Sequence, residues 1–167
     1  MPQFDFDAAR ETMVESQIRT ADVTDLDILS AFRRIPRERF VPASKMALAY
    51  GDAVVDYGDG RSLIRPRDFA KLIHAADIQP HEVVLDIASA RGYSVAILAH
   101  LAETVVGLET EDEAVDRATG LLTDADVLNA AIVKGDLKRG APEHGPFDVI
   151  VVNGAVAEVP EAWLGQL

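Results

Sequence analysis

Four residues, Asp86, Glu109, Asp136 and Asn153, each stand at or just beyond the end of a short run rich in valine, isoleucine or alanine. In an open parallel sheet the carboxyl ends of the strands border the ligand crevice, so residues placed this way rim one cleft. Glu109 follows Ala88 by about 20 positions, the separation at which an acidic residue reaches a ribose hydroxyl. A single strand-terminal acid serves equally well as a helix cap. Their recurrence at successive strand ends is what points to a ligand site.

Between Asp86 and Glu109 the chain reads "ASARGYSV", a strand-to-helix turn of the kind that cradles a nucleotide-type cofactor. A dinucleotide fingerprint GxGxxG would need glycine at Ala88, Ala90 and Tyr93, and none is present. The GxGxG spacing of S-adenosylmethionine sites would need it at Ala88, Ala90 and Gly92, and one is kept. The spacing therefore favours a methyltransferase. Each alanine adds a Cβ and narrows the backbone freedom that glycine supplies. A left-handed conformation at either position would cost on the order of 1–2 kcal/mol.

Composition excludes other chemistries. Cysteine is absent, which removes thiol catalysis, disulfides and thiolate metal sites. His74, His81, His100 and His144 are scattered without metal-ligand spacing, so no metal is expected. A net charge of −12 argues against nucleic acid as a partner. The basic run "FRRIPRERF" reads as a solvated helix end. No apolar run approaches the roughly 20 residues that cross a bilayer, and the N-terminal residues lack a basic stretch followed by an apolar core. A cytoplasmic location without membrane partners is the expectation.

The elements that must position these residues follow from hydrophobic spacing. Met13, Val14, Gln17 and Ile18 recur at helical intervals, and Asp25 caps a helix with Leu26, Leu29, Ala31 and Phe32 on its apolar side, stopped by Pro36. Glycines at 51, 58 and 60 punctuate two short extended pieces, and Pro66 opens a helix through about Ala76. From His81 strands and helices alternate: Val83–Ile87 strand, Tyr93–Leu101 helix, Thr104–Leu108 strand, Glu111–Leu122 helix, Ala130–Val133 strand, and a fourth strand in "FDVIVVN". Continuous Val/Ile runs separated by helices predict an α/β fold, a doubly wound and mostly parallel sheet with an N-terminal helical extension. The expected organisation is a single domain over 1–167, with residues 1–80 helical and loop-rich and 81–167 a Rossmann-like core.

Read together, "MVESQIRTADVTDLDILSAFRRIPRERFVP", "AYGDAVVDYGDGRSLIRP", "VVLDIASARGYSVAILAHLAETVVGLE", "VKGDL" and "PFDVIVVNGAVAEVPEAWLGQL" resemble the protein-L-isoaspartate O-methyltransferase family. The resemblance implies a class I methyltransferase fold that uses S-adenosyl-L-methionine to esterify isoaspartyl carboxylates in damaged proteins. It places the cofactor site at Asp86, Ala88, Ser89, Gly92, Glu109 and Asp136, with Glu109 at the ribose and Asp136 at the adenine. Ser62 would orient the substrate carboxylate in the loop "GRSLIRP", where the family's active-site serine position holds Ile64. Arg61, Arg65 and Arg91 are expected near one cleft, where guanidinium forks suit an anionic ligand. The family continues past "EVPEAWLGQL" with further strands, so the ending at Leu167 is read as a truncation that leaves an open sheet edge, a possible partner surface. Two alternatives stand beside the repair enzyme: a non-catalytic binding or assembly protein, and a methyltransferase acting on a small acid.

Overall fold

The computed structural model describes residues 4–58 and 60–167. The chain divides into two compact units, with the boundary between Asp77 and Ile78.

In the first unit, α1 (Phe6–Met13) starts where the Asp5 carboxylate accepts from the Ala8 N–H. It runs into a π-helical turn over Val14–Ile18 and ends where Asp22 takes a left-handed φ of 64°. Met13, Val14 and Ile18 are buried and Gln17 is half-buried, as the helical spacing predicts. Helix α2 (Leu26–Arg34) is capped by Asp25, whose carboxylate accepts from the N–H groups of Asp27 and Ile28. The apolar side differs from expectation in one place. Leu26 is exposed and Ile28 takes its place in the core, because at about 100° per residue Leu26 stands across the helix from the face shared by Ile28, Leu29, Ala31 and Phe32. Strands β1 (Val55–Gly58) and β2 (Arg61–Leu63) form an antiparallel hairpin in which Asp56 faces Ser62 and Val55 faces Leu63. Helix α3 (Pro66–Ala76) follows directly, with proline in its first turn.

The basic run corrects its sequence reading. Arg33 pairs with Glu11 at the surface, but Arg37 is wholly buried. Its guanidinium finds backbone carbonyls, which is what lets a cation sit inside.

The second unit is the predicted alternating core. Its elements are β3 (Val83–Ile87), α4 (Tyr93–Leu101), β4 (Thr104–Glu109), α5 (Asp112–Asp124), β5 (Ala130–Lys134), β6 (Val149–Val152) and the short α6 (Glu161–Leu164). The sheet is parallel in the order β5-β4-β3-β6, so β3 and β4 are central and β6 forms an edge among the described residues. Gly107 in β4 leaves room for the side chains of Ile132 on the paired β5, Ser89 in the turn and Val95 on α4. A Cβ there would lie 2.5 Å from Ile132 Cδ1 and 2.7 Å from Ser89 Oγ. The last turn docks through Trp163, whose indole N–H donates to the Leu137 carbonyl at 2.8 Å, and through Gln166, which accepts from the Ala141 N–H and donates to the Arg139 carbonyl. Among the described residues, no helix is long and apolar enough to cross a membrane, and no His, Asp and Glu cluster could hold a metal ion.

Candidate functional site

The turn from β3 to α4 alternates between backbone wells. Ala88, Ala90 and Gly92 have φ of 61°, 52° and 88°, so all three positions of the GxGxG spacing are left-handed although two carry a Cβ. Local contacts hold them there. The N–H groups of Ala88 and Ser89 both donate to the Leu108 carbonyl, and Gly92 closes the turn on the Ser89 carbonyl at 2.8 Å. The Glu109 carboxylate accepts from the Ala90 N–H at 2.7 Å and from its own neighbour Thr110 at 3.1 Å. Ala88 is buried and belongs to a core cluster with Ile87, Leu108, Phe147 and Trp163, so its methyl group recovers part of the backbone strain as packing. Ala90 is only half-buried and has no such return.

The predicted site residues fall into two groups. Ser89 and Asp86 point into the protein. Ser89 Oγ donates to the carbonyls of Asp86 and Leu108 at 3.2 and 3.3 Å. Asp86, wholly buried, accepts from Ser94 Oγ at 2.6 Å and from Asn153 Nδ2 at 2.8 Å. These two shape the turn from beneath. Glu109 and Asp136 stand at neighbouring strand ends, because the Gly135 N–H donates to the Glu109 carbonyl at 2.9 Å. Asp136 is exposed and its carboxylate orders the next turn by accepting from the Lys138 N–H. Asn153, noted at its strand end, is anchored by its own N–H on the Ile87 carbonyl, and it also bonds Ser94.

Ser94 was not singled out by the sequence reading. The available signal was a small hydroxyl in the first turn of a helix that follows a strand-terminal acid.

Burial pushes the Asp86 carboxyl up to about 7. The donors Ser94 and Asn153 pull it down, and the nearby Glu109 charge adds to the rise.

In the first unit, Ser62 is exposed on β2, Ile64 is half-buried just beyond it, and the Ile64 carbonyl accepts from Arg37 at 2.7 Å. Arg65 is engaged with Asp68 at 2.7 Å, which turns its guanidinium back along its own helix.

The family model for protein-L-isoaspartate(D-aspartate) O-methyltransferase matches residues 8–167. The chain belongs to this family. It is 39% identical over 158 residues to the protein-L-isoaspartate O-methyltransferase of Methanoculleus marisnigri, covering 95% of this chain and 72% of that one. It is 37% identical to protein-L-isoaspartate O-methyltransferase 2 of an Anaeromyxobacter species, spanning 65% of that protein's length. A solved protein-L-isoaspartate O-methyltransferase superposes with a TM-score of 0.82 at 30% identity, covering 95% of this chain and 52% of that one. A Plasmodium falciparum structure described as a protein-L-isoaspartate O-methyltransferase with S-adenosyl-L-homocysteine gives 0.76 at 19% identity, with coverage of 99% and 80%, a likeness of fold. The fold is the Rossmann-like one of class I methyltransferases, and the family depends on S-adenosylmethionine.

The chain's own turn fits that group. Its three left-handed positions reproduce the backbone path that glycines usually supply. Glu109 is buried with each carboxylate oxygen on a backbone N–H, and a carboxylate's roughly four acceptor positions leave it capacity beyond those two bonds.

Two predictions follow from this geometry. Ala90→Gly releases a left-handed alanine at about 1–2 kcal/mol and loses about 0.4–1 kcal/mol through the freer unfolded chain. Urea unfolding should therefore show a net gain of about 0–1.6 kcal/mol, larger than for Ala88→Gly, which forfeits a buried methyl group. Equal or reversed effects would contradict the strain assignment. The second concerns pH. With its folded pKa raised, Asp86 binds more protons in the native than in the unfolded state between its ordinary value near 4 and about 7. Its contribution to stability is thus complete at low pH and declines as pH rises through that window. Asp86→Asn lacks this titration, so the stability of the variant relative to the wild type should improve from pH 4 to 7, by at most about 1.4 kcal/mol per pH unit. A difference that is flat with pH would place the titration elsewhere.

Proposed function

We propose that this chain carries S-adenosylmethionine-dependent methyl transfer to the side-chain carboxylate of L-isoaspartyl residues in damaged proteins, in the cytoplasm. The observation that carries the reading is the left-handed turn at 88, 90 and 92, closed by a strand-terminal acid, in a member of this family. An isoaspartyl carboxylate is already ionised at neutral pH, so no strong general base is needed. Bound S-adenosylmethionine supplies an activated methyl group.

The chain's residues supply binding and orientation, which lower such barriers by roughly 7–11 kcal/mol. The turn around Ser89 and Gly92 would take the methionine portion, Glu109 would accept from the ribose, and Asp136 would meet the adenine. Asp86 and Ser89 hold the turn in shape from below. Ser62 donates its hydroxyl to the substrate carboxylate. Ile64 brings no hydrogen-bonding side chain to its position, and that lowers the rate without removing the reaction. The edge of β6, unpaired among the described residues, would offer its main chain to a strand of a protein partner.

The test uses methyl-labelled S-adenosylmethionine with an isoaspartyl peptide and its aspartyl twin. Label should enter the isoaspartyl peptide alone. Ile64→Ser should raise kcat/KM by about tenfold, the worth of one good hydrogen bond. Label in neither peptide would remove the repair reading, and transfer to a small carboxylic acid instead would move the substrate class.

A further inference from the structure

Adjacent residues of opposite charge, Arg37 and Glu38, are both buried in the short turn after α2. Arg37 Nε donates to the Ala49 carbonyl at 2.6 Å and an Nη donates to the Ile64 carbonyl at 2.7 Å. Ala49 precedes the β1–β2 hairpin and Ile64 follows it, so one planar guanidinium fork ties both ends of the same excursion. Glu38 secures the entry a second time. Its carboxylate accepts from the Tyr50 hydroxyl and from Arg10 at 3.3 Å, while the Tyr50 carbonyl accepts from Gln17 at 2.8 Å. A surface loop needs no such arrangement. A buried guanidinium is costly unless carbonyls or carboxylates receive it, and here Nε and one Nη each meet a backbone carbonyl whose direction they thereby fix.

Because a peptide unit is planar, holding the Ile64 carbonyl sets the orientation of the whole Ile64–Arg65 link. That link joins β2 to the first turn of α3, where Arg65 is the cap residue and Pro66 opens the helix. Ser62 and Ile64 sit on the segment so held.

We infer that Arg37 is the positioning residue of the substrate loop Gly60–Pro66, with Glu38 as its partner at the hairpin's entry. The inference rests on the reading of that loop as the one that meets the isoaspartyl carboxylate. Arg37 touches no reacting atom. It acts by presenting Ser62 and the Ile64 backbone in one orientation, and this matters more in a chain whose position 64 offers no side-chain hydrogen bond.

The experiment compares wild type, Arg37→Met and Arg37→Lys by amide hydrogen exchange and by steady-state kinetics on the isoaspartyl peptide. In Arg37→Met, exchange over residues 55–66 should rise roughly tenfold or more while α5 stays at its wild-type rate. The KM for the peptide should rise severalfold with the KM for S-adenosylmethionine unchanged. Arg37→Lys, which can reach one carbonyl at a time, should recover part of both effects. A uniform rise in exchange across the chain, or no local rise, would overturn the inference. Should Arg37→Met fail to fold, Arg37→Gln and Arg37→Lys carry the same comparison. If wild type transfers no methyl group, the repair reading fails on its own, and local exchange alone decides whether Arg37 holds the hairpin.

Discussion

The carboxylate of Glu109 closing on the Ala90 N–H is the contact on which the second unit's site depends. Alternating left-handed residues at 88, 90 and 92 are unfavourable for a chain carrying two alanines there. They persist because the surroundings over-determine them. The Leu108 carbonyl collects two N–H groups, Gly107 leaves room for Ser89 beneath the turn, and the Ala88 methyl group packs into the core. Strain in the backbone is thus offset by a charge-assisted hydrogen bond and by burial, both supplied from β4 and its neighbours.

The same strand ends carry a second layer of support. Asp86, Ser94 and Asn153 join the ends of β3 and β6 to the first turn of α4 through hydrogen bonds around a wholly buried carboxyl group. A carboxylate there is costly when charged, which is why its proton affinity rises. Its neighbours lower that cost without removing it. The result is a rigid floor under the turn, so that exposed groups such as Asp136 present themselves from a fixed frame.

Much of this was legible from residue spacing. The alternation from His81 onward fixed the type and order of the core elements, and the boundaries at Val83–Ile87, Tyr93–Leu101 and Pro66–Ala76 match because Pro66, Gly92 and the apolar runs mark them unambiguously. Strand-terminal acids pointed to one end of the sheet, where Glu109 and Asp136 stand at neighbouring strand ends. Direction was not legible, since sequence does not say which way a side chain turns. Ser89 in the turn and Asp86 near the end of β3 face the protein, and Ser94 entered only because α4 winds it back over Asp86. Arg37 was hidden for a related reason. In a basic run its charge suggests solvent, and only the fold of the hairpin supplies the buried carbonyls that receive it.

The central claim is that a turn with alanine at two glycine positions still takes the family's cofactor. Calorimetric titration of the chain with S-adenosyl-L-homocysteine tests it most directly. The account predicts one saturable site with a Kd of roughly micromolar order, which Glu109→Gln weakens by about tenfold or more. An absence of heat at roughly millimolar ligand, in protein whose fold is intact, would mean that the alanine turn closes the site, and would contradict the account.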